Sequence, residues 1–129
     1  MRSIRRKVES FAGDRGFSEV QVGDLSLAVA EALFNAMEHG STGTGTLLLE
    51  IDYCADHLEV AVEDGGGAEE VEHRLARLRR ALNADPTDDV PEADLERGRG
   101  LYLIRAKTDG VRVERTGNGV RMVMVKRKE

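Results

Sequence analysis

Asp24-Leu25-Ser26-Leu27-Ala28-Val29-Ala30-Glu31-Ala32-Leu33-Phe34-Asn35-Ala36-Met37-Glu38-His39-Gly40 is the stretch around which the rest of the chain is organised. It reads as one helix, with Asp24 placed to cap its start and Gly40 to stop it. Leu25, Val29, Ala32, Leu33 and Ala36 recur at the helical period on one face. Leu27, Ala30, Phe34 and Met37 extend the apolar surface around the cylinder, so the helix has little need of water. Against that background Glu31, Asn35 and Glu38, at i, i+4 and i+7, form a single polar stripe. Burying an unpaired carboxylate costs roughly several kcal/mol, so such a group on an apolar helix pairs or faces a wet cavity. The stripe has two readings: the lining of a site, or the solvent face of an amphipathic helix.

The segments on either side supply the other elements. Ile4, Val8, Phe11 and Ala12 mark a first helix ending near Gly13, and Gly13–Gly23 reads as a connection anchored by Phe17 and Val20. After a Gly/Ser/Thr loop at Gly40–Gly45, Thr46–Tyr53 and Leu58–Glu63 read as strands joined by a turn at Ala55-Asp56-His57. The second of these alternates apolar with acidic residues, which buries one face and wets the other. Val71, Leu75, Leu78 and Leu82 mark a further helix. Asn83–Glu96, with both prolines and a run of acids, reads as a surface loop. Gly98-Arg99-Gly100 then opens a short helix carrying Leu101, Leu103, Ile104 and Ala106. Strands at Gly110–Arg115 and Val120–Lys126 close the chain around the turn Thr116-Gly117-Asn118-Gly119.

Composition bounds the function. A chain of 129 residues with 40% hydrophobic and 33% charged residues fits one globular domain, spanning 1–129. Aromatics make up 4% and the net charge is −5, so neither base-stacking platforms nor a phosphate-attracting field points to nucleic acid. The single cysteine, Cys54, excludes an internal disulfide, and no Cys/His cluster has metal-ligand spacing. The basic start (Arg2, Arg5, Arg6, Lys7) lacks the apolar run of a signal peptide, and no stretch has the length of a membrane span. The expected location is the cytoplasm, without membrane contact.

Two glycine segments carry candidate chemistry. Asp64-Gly65-Gly66-Gly67 stands at a strand end, where a carboxylate can accept from an exocyclic amine and glycine lets a flat ring approach. Asp-Gly-Gly is equally a common turn. Gly98-Arg99-Gly100-Leu101 feeds a helix N-terminus, whose free amides and positive end suit a phosphate, with Arg97 and Arg99 as further donors. A plain helix entry would look the same.

In combination and in this order the segments are more specific. The chain resembles the GHKL ATP-binding fold of gyrase, Hsp90, MutL and histidine kinases. Glu31-x-x-x-Asn35-Ala36 is similar to its N-box, Asp64-x-Gly66 to the first glycine box and Gly98-x-Gly100 to the second. The segment of about residues 68–97 stands in the place of the ATP lid. Within the superfamily it looks most like the anti-sigma-factor serine/threonine kinases. That likeness rests on Ala30-Glu31-Ala32, Glu38-His39-Gly40, Glu96-Arg97-Gly98-Arg99-Gly100-Leu101, Asp109-Gly110-Val111 and the closing Val125-Lys126-Arg127.

The resemblance implies an α+β fold: a two-layer α/β sandwich with a mixed, mostly antiparallel sheet and helices on one face. It implies ATP and Mg²⁺ as cofactors, with Asn35 as metal ligand and Glu31 as the base that takes the proton of an attacking serine or threonine hydroxyl. By the same resemblance Asp64 and Gly66 would receive adenine. Gly98, Gly100 and Leu101 would wrap the phosphates, and Arg97 or Arg99 would neutralise the terminal one. Glu38 and His39 have no assigned role. The implied activity is phosphorylation of a small anti-sigma-factor antagonist by a kinase that also binds a sigma factor, as a homodimer, in a partner-switching pathway. The alternative is a nucleotide-responsive binding module with little turnover. A histidine kinase would need a His-bearing helix pair before the ATP domain. Three positions depart from the family pattern: there is little room for a strand before the first helix, Ala68 stands where a glycine is frequent, and Gly119-Val120 replaces Gly-Thr.

Overall fold

In the computed structural model, residues 2–39, 47–67, 70–83, 95–117 and 119–129 are described, with backbone alone at 39 and 95–99. The elements run α1 (Arg2–Asp14), α2 (Glu19–His39), β1 (Leu47–Cys54), β2 (His57–Asp64), α3 (Val71–Asn83), α4 (Leu95–Lys107), β3 (Gly110–Thr116) and β4 (Gly119–Arg127). The loops read at Gly40–Gly45 and across most of Asn83–Glu96, and residues Ala68 and Asn118, lie outside the described residues.

The organising helix starts earlier than Asp24. Ser18 caps it: its Oγ accepts from the Gln21 amide at 3.1 Å, and Gln21 Oε1 accepts from the Ser18 amide at 3.2 Å. This reciprocal capping box satisfies two amides that a lone Asp24 cap would leave open. The connection is therefore confined to Arg15–Ser18, and Gly13–Gly23 is largely helical. Asp24 instead lies in the second turn, its carboxylate 3.6 Å from the Lys107 Nζ and 3.7 Å from the Lys126 Nζ.

The core face of α2 follows the helical spacing, with Leu25, Val29, Ala32, Leu33 and Ala36 all buried. Phe34 and Met37 are half exposed, so the apolar surface does not continue around the cylinder into a neighbour. Ser26 is buried as well, accepting from Arg5 Nε at 3.1 Å and donating to Glu9 Oε1 at 2.7 Å, which fixes α1 across α2.

The strands pair in the order β1-β2-β4-β3, every described pairing antiparallel. On β2 the inward positions are Leu58, Val60, Val62 and, in the same phase, Asp64; all four are buried. They meet Met122 and Met124 of β4, with Val113 of β3 beyond, and the helices cover this face to form the core. The other face carries ion pairs such as Arg121–Glu63 and Arg112–Glu114. Such exposed pairs contribute at most about 1 kcal/mol each, so burial of the inner face dominates stability. The result is the expected α+β two-layer sandwich. No described helix is long and apolar enough to cross a membrane.

Candidate functional site

The elements converge at one end of the sandwich. Gln21, in the first turn of α2, donates from Nε2 to the Arg127 carbonyl at 2.6 Å, and Arg127 pairs with His57. The start of α2 therefore lies level with the start of β2, and the two run in the same direction. Asp24 lies beside Lys126, which pairs with Leu58. From there β2 rises about 20 Å to Asp64 at about 3.3 Å per residue. Over the same direction α2 rises about 16 Å to Asn35 at 1.5 Å per residue. Asn35 and Asp64 thus stand at similar height, on the helix and on the sheet.

Helix α4 runs antiparallel to α2. Lys107 meets Asp24, and seven residues earlier on α4 Gly100 meets Glu31, seven residues later on α2. The fit at Gly100 is close: a Cβ there would lie 2.8 Å from Glu31 Oε2. Continuing the register brings the first turn of α4 beside Asn35. Glu31 and Asn35 are both partly buried, so the polar stripe is neither plain solvent face nor core. Glu38 is exposed.

The second glycine segment sits differently from its sequence reading. Gly98-Arg99-Gly100 does not open the helix, because α4 begins at Leu95. The amides left free by the helical pattern are those of the first turn, Leu95 to Arg97, and Gly100 serves close packing instead. Leu101 points its side chain into the core, where it is buried. Arg97, Gly98 and Arg99 lie on the first two turns, their backbone alone described.

The first glycine segment is built around Asp64. Its Oδ1 accepts from the Gly66 amide at 3.0 Å and lies 3.4 Å from the Val120 amide. Gly66 reaches that position with φ at +94°, in the left-handed region that glycine adopts at no steric cost. Gly119 closes the arrangement from β4: a Cβ there would lie 1.9 Å from the Asp64 carbonyl oxygen, so only glycine fits. Arg74 of α3 also grips the carboxylate, Nη1 to Oδ1 and Nη2 to Oδ2, each at 2.8 Å. Sequence reasoning missed Arg74 and the role of Gly119. The available signal was an arginine on the edge of the Val71, Leu75, Leu78, Leu82 stripe, where burial demands a partner.

One sequence reading needs correction. The hairpin pairs Cys54 with His57 and points Glu59 to the same face, so their ligand atoms all lie within 4.8 Å of one another. Linear spacing hid this grouping because a strand register assembles it. His57 Nδ1 stands 3.0 Å from Asp56 Oδ1, a hydrogen bond that holds the Asp56 carboxyl below its ordinary value. Arg112 lies 3.4 Å from Glu59 Oε1 and competes for that carboxylate.

The side-chain amide oxygen of Asn35 is a hard donor that fits Mg²⁺ chemistry, and the Glu31 carboxylate one turn before it is placed to take a proton. A carboxylate at a strand end with a glycine beside it fits recognition of an amine-bearing base. Comparison with known proteins gives the family. Residues 1–125 match the histidine kinase-like ATPase domain. The serine-protein kinase RsbW of Bacillus pumilus is 30% identical over 127 residues, covering 95% of this chain and 75% of its own. The enzyme of the same name from Listeria monocytogenes is 32% identical over 126 residues, covering 95% and 76%. With near-complete coverage on top of a GHKL-type sandwich, the chain belongs to the histidine kinase-like ATPase family, in its serine/threonine protein kinase branch.

Proposed function

We propose that this protein transfers the γ-phosphoryl group of ATP to a serine or threonine of a small anti-sigma-factor antagonist, and binds a sigma factor when that antagonist is absent. The observation that carries the reading is the contact of Gly100 with the Glu31 carboxylate, which presses the phosphate-side helix against the candidate base. Asp64 and Gly66 receive the adenine, at the height where α2 ends. Gly98 and the free amides of the first turn of α4 border the phosphates, with Arg97 or Arg99 neutralising the terminal one, while Gly100 and Leu101 seat that helix against α2 and the core.

Asn35 would hold Mg²⁺ through its side-chain oxygen, and the ion would supply neutralisation of phosphate charge there. Glu31, one turn before, accepts the hydroxyl proton as the acceptor oxygen attacks the γ-phosphorus. The bond to the β–γ bridging oxygen breaks, and ADP leaves with that electron pair. The likeness to the two kinases supports the same reading of the acceptor. The ATP lid is assigned to the region of about residues 68–97, and the working unit is a homodimer in the cytoplasm.

Calorimetric titration of ATP with and without Mg²⁺, run beside transfer of labelled phosphate to an antagonist protein, decides between this and a binding module. Magnesium-dependent binding with transfer, and an Asn35→Ala variant that loses the magnesium dependence, is the expected result. Binding with no transfer would replace the kinase by a nucleotide-responsive module. Absence of ATP binding would sink both.

A further inference from the structure

The carboxylate assigned to the base is already occupied. Arg74 and Asp64 form a two-pronged ion pair whose side chains are 3% and 2% exposed. With Gly66 and Val120 also directed at Oδ1, the carboxylate has no open edge to present to an incoming base. A guanidinium offers to a carboxylate what an exocyclic amine offers, planar N–H donors, but with a full positive charge and two prongs. The nucleotide-free protein therefore fills the base position from its own chain.

The plug is not perfectly seated. Arg74 Nε is buried and has no hydrogen-bond partner among the described residues. An unmet buried donor penalises the docked state, and that penalty is removed when the side chain returns to water. Exposed Glu70 stands just before α3, its carbonyl accepting from the Arg74 amide at 3.0 Å, and puts a carboxylate in solvent near the base of the Arg74 side chain. Helix α3 is otherwise tied to the sheet edge, Arg79 to the Val113 carbonyl at 3.3 Å and Glu72 to Arg115, so the exchange can begin at one side chain.

We propose that Arg74 is an internal competitor for the adenine site: it must leave Asp64 before the base is read, and it thereby sets nucleotide affinity and ties base recognition to helix α3. The inference rests on the assignment of Asp64 to adenine. Because only molecules with Arg74 released are competent, the apparent affinity is lowered by the released fraction.

Two measurements test it. In calorimetric titrations, Arg74→Met should bind ATP at least about tenfold more tightly than the unaltered protein, and Arg74→Lys should fall between. Inorganic tripolyphosphate, which has no base, should bind all three alike. In the unaltered protein, hydrogen exchange across Val71–Asn83 should rise with ATP and stay unchanged with tripolyphosphate. Equal or weaker ATP binding by Arg74→Met, while Asp64→Asn weakens it, would make Arg74 a plain structural partner and overturn the proposal. If Arg74→Met does not fold, exchange at α3 that ATP leaves unchanged overturns it instead. Failure of the unaltered protein and of Arg74→Met alike to bind ATP would remove the adenine assignment itself, a result distinct from either of the others.

Discussion

Glu31→Gln should lower phosphoryl transfer to the antagonist by about 10²–10⁴-fold, the range that general-base catalysis supplies, while MgATP affinity stays unchanged. Glutamine keeps the length and the hydrogen-bonding shape but cannot take a proton. The adenine and metal assignments lie on Asp64 and Asn35, so binding has no reason to follow. Labelled-phosphate transfer and calorimetry on the same preparation separate the two effects. Loss of binding in step with transfer would move Glu31 from proton acceptor to nucleotide ligand.

Gly100→Ala provides an independent check on the same carboxylate. The added Cβ would lie 2.8 Å from Glu31 Oε2, the far end of a flexible side chain, so Glu31 turns away and the fold tolerates the change. Replacing a helical glycine by alanine favours the helix by up to about 1 kcal/mol. Unfolding temperature should therefore hold or rise while transfer falls, a split that a merely structural contact would not produce.

Asp64→Ala should destabilise the protein by about 1–3 kcal/mol: it removes a two-pronged buried ion pair, and the Arg74 guanidinium, free to return to water, escapes the full cost of a stranded buried charge. That is a large share of the stability of a domain this size. The double variant Asp64→Ala/Arg74→Met, which removes both charges and keeps an apolar side chain of similar length, should recover most of the loss. Denaturant unfolding of the four proteins of this cycle gives the coupling. A single variant that loses under about 1 kcal/mol would mean that the pair is solvated in solution.

The division between what was legible in the chain and what was not follows from the range of the interactions. The buried face of α2, the alternation of β2 and the stripe of α3 are local periodicities, set by where each Cβ points, and each could be counted along the chain. The Asp64-Gly65-Gly66 turn was legible for a related reason: the Gly66 conformation at φ +94° and its amide bond to the Asp64 carboxylate serve the geometry of that strand end alone. The start of α2 was misplaced because two caps were available and only the reciprocal Ser18–Gln21 pair satisfies two amides.

Contacts between elements distant in sequence were not legible. Gly100 against Glu31, Gly119 against the Asp64 carbonyl and the Cys54, His57, Glu59 grouping all depend on helix packing or strand register. The Arg74–Asp64 pair is the clearest case. From sequence, Arg74 is one of several basic residues on an exposed-looking helix; α3 packing against the end of β2 brings it to a carboxylate that alternation had already turned inward. By itself the sequence determined which faces are buried and which residue types stand at the strand and helix ends. Only the tertiary structure decided which of those polar groups meet, because a buried charge takes its partner from whatever the packing brings within hydrogen-bond reach.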